Sequence, residues 1–144
     1  MNKPHLLLSF ALLLLLLLPA CASPPQTFGP PEDYAQESRI PVLEVPPGAR
    51  LFGGGGGGAS GIEGLGLDFQ SDLGLAAIHA HFAAQLEATG WSEVEQQIED
   101  GQMITFWELV DEDGKSWAAK LDVHLLSAST LDEYKMEIKL LLPR

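Results

Sequence analysis

Residues 103–141 read MITFWELVDEDGKSWAAKLDVHLLSASTLDEYKMEIKLL, three apolar-alternating runs divided by two turn signals. Alternation with a period of two places every second side chain on one face of a strand, so these runs predict strands at about 103–110, 116–126 and 132–142. Asp113-Gly114 marks the first hairpin, and a turn there pairs Val110 with Trp117. The same register sets Phe106 against Leu121 and Ile104 against Val123. A second turn at Ser127 to Thr130 pairs Val123 with Tyr134, Leu121 with Met136, Ala119 with Ile138 and Trp117 with Leu140. These side chains form the expected core face. On the other face Lys120 meets Glu137, Asp122 meets Lys135 and His124 meets Glu133, so opposite charges oppose one another in a register chosen from apolar positions alone.

Trp107 falls on that outer face, across from Lys120, with Thr105 and Leu109 as same-face neighbours and Met103 and His124 extending the row. An aromatic over a lysine stem is a candidate hot spot, so Trp107, Lys120, Thr105, Leu109 and His124 form the expected interaction face. Glu108 falls on the core side opposite Ala119, an isolated carboxylate with no placed partner.

Working upstream, Trp91 to Ile98 reads as a further strand joined through Asp100-Gly101. Before it, Leu75, Ile78, Phe82 and Leu86 recur at helical spacing, predicting a helix over 72–89, capped by Asp72 and stopped by Gly90. Its other side is rich in alanine. His79 and His81, two apart on a helix, point in nearly opposite directions and do not chelate one metal. His79 lies at the edge of the buried stripe and is expected to tuck against the sheet. Leu65, Leu67 and Phe69 alternate in a strand at about 62–70. The expected fold is therefore α+β: an antiparallel meander with one helix packed on one face, a two-layer sandwich. The order of strand, helix and meander resembles helix-grip or cystatin-like domains. His79, Gln85-Leu86, Gly90-Trp91 and Trp107 also resemble small bacterial modules with no assigned chemistry. A helix-grip fold implies a small-ligand pocket as the alternative function, although large inward side chains such as Phe82, Phe106 and Trp117 favour a filled core.

Gly53 to Gly58 is an unbroken glycine run within a loop at 53–61. It lacks the Gly-Lys-Ser/Thr of a phosphate loop, since no Lys or Arg occurs between Arg50 and Lys115. Asp111-Glu112-Asp113-Gly114 lacks the later bidentate Glu of a calcium loop. No catalytic constellation and no metal site is expected. With 20 acidic against 8 basic residues the net charge is −12, which disfavours nucleic acid and charge-driven binding to anionic lipid.

The first residues carry the compartment signal. Lys3 is followed by an apolar run from Leu6 to Leu18, too short to span a bilayer comfortably, and the segment ends Leu18-Pro19-Ala20-Cys21. This resembles the lipobox of bacterial lipoproteins. The resemblance implies a signal peptide over 1–20, a diacylglycerol thioether on Cys21, cleavage just before it, and acylation (typically palmitate) of the new amino group. Cys21 is the sole cysteine, so that lipid would be the only covalent group and no cofactor is expected. Ala22 rather than Asp after the cysteine leans toward the outer membrane facing the periplasm in a diderm cell, and otherwise toward the outer face of the cell membrane. Seven prolines within 22–47 predict an extended tether over 21–48, leaving 49–144 as the domain. The expectation is a membrane-anchored envelope lipoprotein, non-catalytic, that contacts another envelope protein.

Overall fold

The computed structural model describes residues 24–30, 38–52 and 64–141, and the fold it shows is α+β. Its elements are β1 (Thr27–Phe28), β2 (Leu43–Glu44), β3 (Arg50–Leu51), β4 (Gly64–Ser71), α1 (Leu75–Ala88), β5 (Ser92–Glu99), β6 (Gln102–Val110), β7 (Ser116–Ser127) and β8 (Asp132–Leu141). All pairings are antiparallel. The strands form a six-stranded sheet in the order β3-β4-β8-β7-β6-β5 and a two-stranded sheet of β1 and β2. The signal segment, Cys21 and the glycine loop expected at 53–61 lie outside the described residues.

β4 alternates as its sequence requires: Leu65, Leu67 and Phe69 are buried and pair with Ile138, Met136 and Tyr134 of β8. α1 lays Ile78, His79, Phe82, Ala83 and Leu86 inward, so its buried stripe keeps three of the four expected positions, adds His79 and Ala83, and leaves Leu75 half-buried. Asp72 does not cap it. Gly74 holds the cap position without a side-chain hydrogen bond, and the Ser71 hydroxyl accepts instead from the Leu73 amide just before. Gly90 ends the helix at φ +92°, a left-handed conformation that glycine reaches without steric cost.

The β6–β7 register differs from the expected one by a single residue, and the turn supplies the reason. The hairpin closes at Asp111 and Lys115, whose backbone hydrogen bond spans 3.0 Å. The Asp111 carboxylate accepts from the Asp113 and Lys115 amides, and Gly114 sits at φ +76°. The loop is therefore three residues, Glu112 to Gly114, with glycine in the left-handed position, where the expected pairing needed an even count. An odd loop slips the register by one and turns every β6 side chain to the other face. Leu109 pairs with Trp117, Trp107 with Ala119 and Thr105 with Leu121 on the core side. Ile104, Phe106 and Glu108 face outward, so Glu108 is an exposed carboxylate and not a core one.

The β7–β8 register is also shifted, by two, which keeps every face and changes the partners. Val123 pairs with Met136 and Leu121 with Ile138, with an irregularity between Leu125 and Ser127. The expected outer pairs of opposite charge do not form: Lys120 lies opposite Lys139, Asp122 opposite Glu137 and His124 opposite Lys135. The charges are balanced along each strand instead. Lys120 pairs with Asp122 at 3.3 Å, and Glu137 with Lys135 at 3.0 Å and Lys139 at 3.3 Å. Partly exposed pairs of this kind contribute ~0–1 kcal/mol each, too little to set a register against the core.

The proline-rich segment is not a free tether. Ile40, Leu43 and Val45 are buried in the core, and Phe28 meets Phe82 edge-on at 6.1 Å. The Gln85 side-chain amide grips the Glu44 peptide as a strand would, accepting from its amide at 2.6 Å and donating to its carbonyl at 3.1 Å. At the far end of this segment, the Trp91 indole donates to the Arg39 carbonyl at 3.3 Å. The packed unit thus includes residues on both sides of the boundary expected at 48 and 49. Proline density reports extended chain, and extended chain also suits a strap across a helix.

Candidate interaction surface

The five residues of the expected face do not share one. Trp107 and Thr105 are fully buried at 0% exposure, and Leu109 is half-buried on the same inward side. Lys120 lies on the outer face opposite Phe106, and His124 is exposed there opposite Gln102. Cys21 lies outside the described residues.

What Trp107 builds is internal. Its indole Nε1 donates to Thr105 Oγ1 at 2.8 Å, and the same oxygen lies 3.0 Å from His79 Nε2. An indole can only donate, so Thr105 accepts from it, and the same hydroxyl also bonds His79 Nε2, whose tautomer sets the direction of that second bond. Burial pushes the His79 pKa below its ordinary value, opposed in part by the Glu93 carboxylate. His79 is thus a core histidine against the sheet, as its place on the stripe predicts, and it is held by a hydroxyl that the expected register had turned outward.

A pH dependence follows. A histidine whose native pKa lies below its unfolded value of about 6.5 binds fewer protons when folded, so stability rises with pH through that window. The contribution is complete above pH 6.5 and is lost as pH falls toward the native pKa. Denaturant midpoints measured between pH 5 and 8 should fall more steeply on acidification for the wild type than for His79→Gln. Parallel curves would mean that His79 titrates no differently in the two states.

A second cluster ties the strap to the β6–β7 hairpin. The Trp117 indole donates to the Asp111 carboxylate at 2.9 Å, Arg39 reaches the same oxygen at 3.3 Å, and these contacts with the Lys115 amide hold Asp111 below the usual carboxylate range. Arg39 and Lys115 also lie over the Trp117 ring, at 5.3 and 4.1 Å from its centroid. Every member is matched within the cluster, so it fastens residues 38–40 to the hairpin.

Among the described residues, the longer of the two open sheet edges is β5. It is an edge strand of the six-stranded sheet, at the side opposite β3, and all of its residues are exposed. Val94 and Ile98 stand 58% and 68% exposed. Ile98 is in register with half-buried Met103 on the helix side, while Glu95 and Gln97 are in register with half-buried Phe106 and Ile104 on the outer face. The pairing is interrupted between Glu93 and Glu95, an irregularity that bends an edge. Asp100-Gly101 makes the turn into β6, a two-residue loop with Gly101 at φ +74°. The sequence carried a signal for this edge. Glu93, Glu95, Gln96, Gln97 and Glu99 place polar groups on both faces, which a strand covered on either side does not tolerate.

Among the described residues no three His, Cys, Asp or Glu side chains converge in a metal-binding group, and no helix is long and apolar enough to cross a membrane. Comparison with protein-family models, with curated proteins and with solved structures finds no match.

Proposed function

We propose that the chain is a lipid-anchored protein of the cell envelope whose domain is a non-catalytic interaction module, docking an extended segment of another envelope protein along β5. The observation that carries the docking edge is an eight-residue outer strand, exposed throughout, with two apolar side chains in solvent. An unpaired edge offers backbone donors and acceptors to an incoming strand, and side chains on either face select it. Glu93, Glu95 and Glu99 make that edge acidic, so the fitting segment is a basic one. The helix and the six-stranded sheet are read as the two layers of a sandwich, and the space between them is filled by Phe69, Phe82, Leu86, Trp107 and Tyr134. That filling favours interaction over carriage of a small ligand. Attachment rests on Leu18-Pro19-Ala20-Cys21, and Ala22 favours the outer membrane in a diderm cell.

Photoreactive residues placed singly at Gln97, Lys120 and His124 in living cells test the edge. A covalent adduct is expected from 97, little from 120 or 124, and loss of the adduct when Glu95 and Glu99 are both changed to Lys. An adduct from 120 or 124 that survives those changes would move the docking surface to the outer sheet face.

A further inference from the structure

Packed residues lie close in sequence to Cys21, which bears on how the domain sits on lipid. Thr27 and Phe28 already pair with Glu44 and Leu43, and the Val45 amide donates to the Gln26 carbonyl at 2.8 Å. Pro24, Pro25 and Gln26 line a cleft of about 390 Å³ together with Pro46, Pro47, Gly48 and Ala49. Only Ala22 and Ser23 separate Pro24 from Cys21. Three residue steps, fully extended, span at most ~11 Å. A lipid on Cys21 therefore leaves no room for a stalk.

The elements around this cleft define one end of the domain. Residue 49 leads directly into β3, whose Arg50 pairs with Gln70 one residue before the end of β4. Ser71 at that end pairs with Asp132, where the β7–β8 turn enters β8. The β6–β7 hairpin at 111–115 lies at the other end of the sheet, a nine-residue β6 away, or ~30 Å at about 3.3 Å per residue. On the cleft side, next to Pro47, exposed Arg50 is followed by Leu51 and Phe52, 44% and 39% exposed. A cation beside two exposed apolar side chains matches the boundary between phospholipid headgroups and acyl chains.

We infer that the Pro24-Pro25/Pro46-Pro47 cleft, with Arg50, Leu51 and Phe52, is a membrane-facing surface that holds the domain flush against phospholipid headgroups, with the β6–β7 hairpin pointing away. This rests on lipidation of Cys21. It leaves β5, antiparallel to β6, standing along the membrane normal, its edge open to a partner that approaches from the side.

The test uses full-length acylated protein in phosphatidylcholine vesicles carrying a headgroup-attached energy acceptor. Acylation blocks Cys21, so Pro47→Cys and Glu112→Cys each supply one free thiol for a donor dye. Transfer from position 47 should be severalfold more efficient than from 112. Inserting twenty Gly/Ser residues between Ser23 and Pro24 should cut the advantage of position 47. Vesicle flotation is measured in parallel. Protein that floats and shows equal, weak transfer from both positions overturns the flush orientation and leaves the lipid anchor standing. Protein that does not float and carries no acyl chain on Cys21 overturns both.

Discussion

Trp107→Ala should cost about 3–5 kcal/mol of folding stability, as large-to-small changes at fully buried aromatic positions do. Trp107 is the largest of the fully buried side chains described, and its cross-strand neighbour on β7 is the small Ala119. Small methyl neighbours cannot expand into the void, so most of the lost packing stays lost. The change also removes the one indole donor to Thr105 Oγ1, leaving that hydroxyl with His79 alone. A domain of this size has ~5–15 kcal/mol in total, so the variant is expected near its unfolding threshold at 37 °C. Urea midpoints for the wild type, Trp107→Phe and Trp107→Ala should fall in that order. Trp107→Phe keeps most of the volume and loses the donor, which separates packing from hydrogen bonding. An exposed tryptophan would behave differently, with Trp107→Ala changing stability by less than ~0.5 kcal/mol. That outcome would return β6 to the other register.

The second large effect concerns attachment. Replacing Cys21 by Ser removes the only thiol in the chain. On the proposed lipoprotein reading the precursor is cut before the cysteine only once it carries lipid, so Cys21→Ser is expected to accumulate as the uncleaved 144-residue, 15.5 kDa chain with no labelled fatty acid. Supplying Cys21→Ser with an export signal that needs no lipid should release the domain as a folded soluble protein. At about 0.8 kcal/mol per buried methylene, one acyl chain holds reversibly and two or three hold effectively without release. The shift from membrane to soluble fraction should therefore be nearly complete. The urea midpoint should stay unchanged, because the buried core described runs from Ile40 to Ile138 and does not draw on the lipid. Continued fatty acid labelling of Cys21→Ser would place the lipid elsewhere.

Much of the fold was legible because burial needs only the face of a side chain, not its partner. Leu65, Leu67 and Phe69, the stripe through Ile78, Phe82 and Leu86, and the inward set Leu121, Val123, Tyr134, Met136 and Ile138 all lie where their periodicity puts them. Faces survive a register error of two, so the β7–β8 shift moved charges and spared the core. They do not survive an error of one. β6 offered two apolar sets, Ile104/Phe106/Val110 and Thr105/Trp107/Leu109, and its alternation could not choose between them. The choice lay in Asp111, whose carboxylate takes two backbone amides and fixes an odd loop. The expected site failed with that choice, since all three of its β6 residues turned inward together.

Two other features were less legible for different reasons. Ile40, Leu43 and Val45 alternate too briefly, among prolines, to announce a strap, and their burial depends on Gln85 and Trp91, some 40 to 50 residues away. β5 was visible as a strand, but its place as an edge came from sheet order, which local pattern does not encode. The polar residues on both its faces were the available signal.

The proposed attachment through Cys21 would fix the compartment, supply the anchor and underlie the proposed membrane-facing surface, so it is the claim to test first. Mass spectrometry of the N-terminal tryptic peptide from protein extracted out of membranes does so directly, because no Lys or Arg lies between Cys21 and Arg39. The expected peptide runs from Cys21 to Arg39 and carries a diacylglyceryl thioether. An unmodified Cys21, or a peptide that still contains Leu18-Pro19-Ala20, would contradict the account.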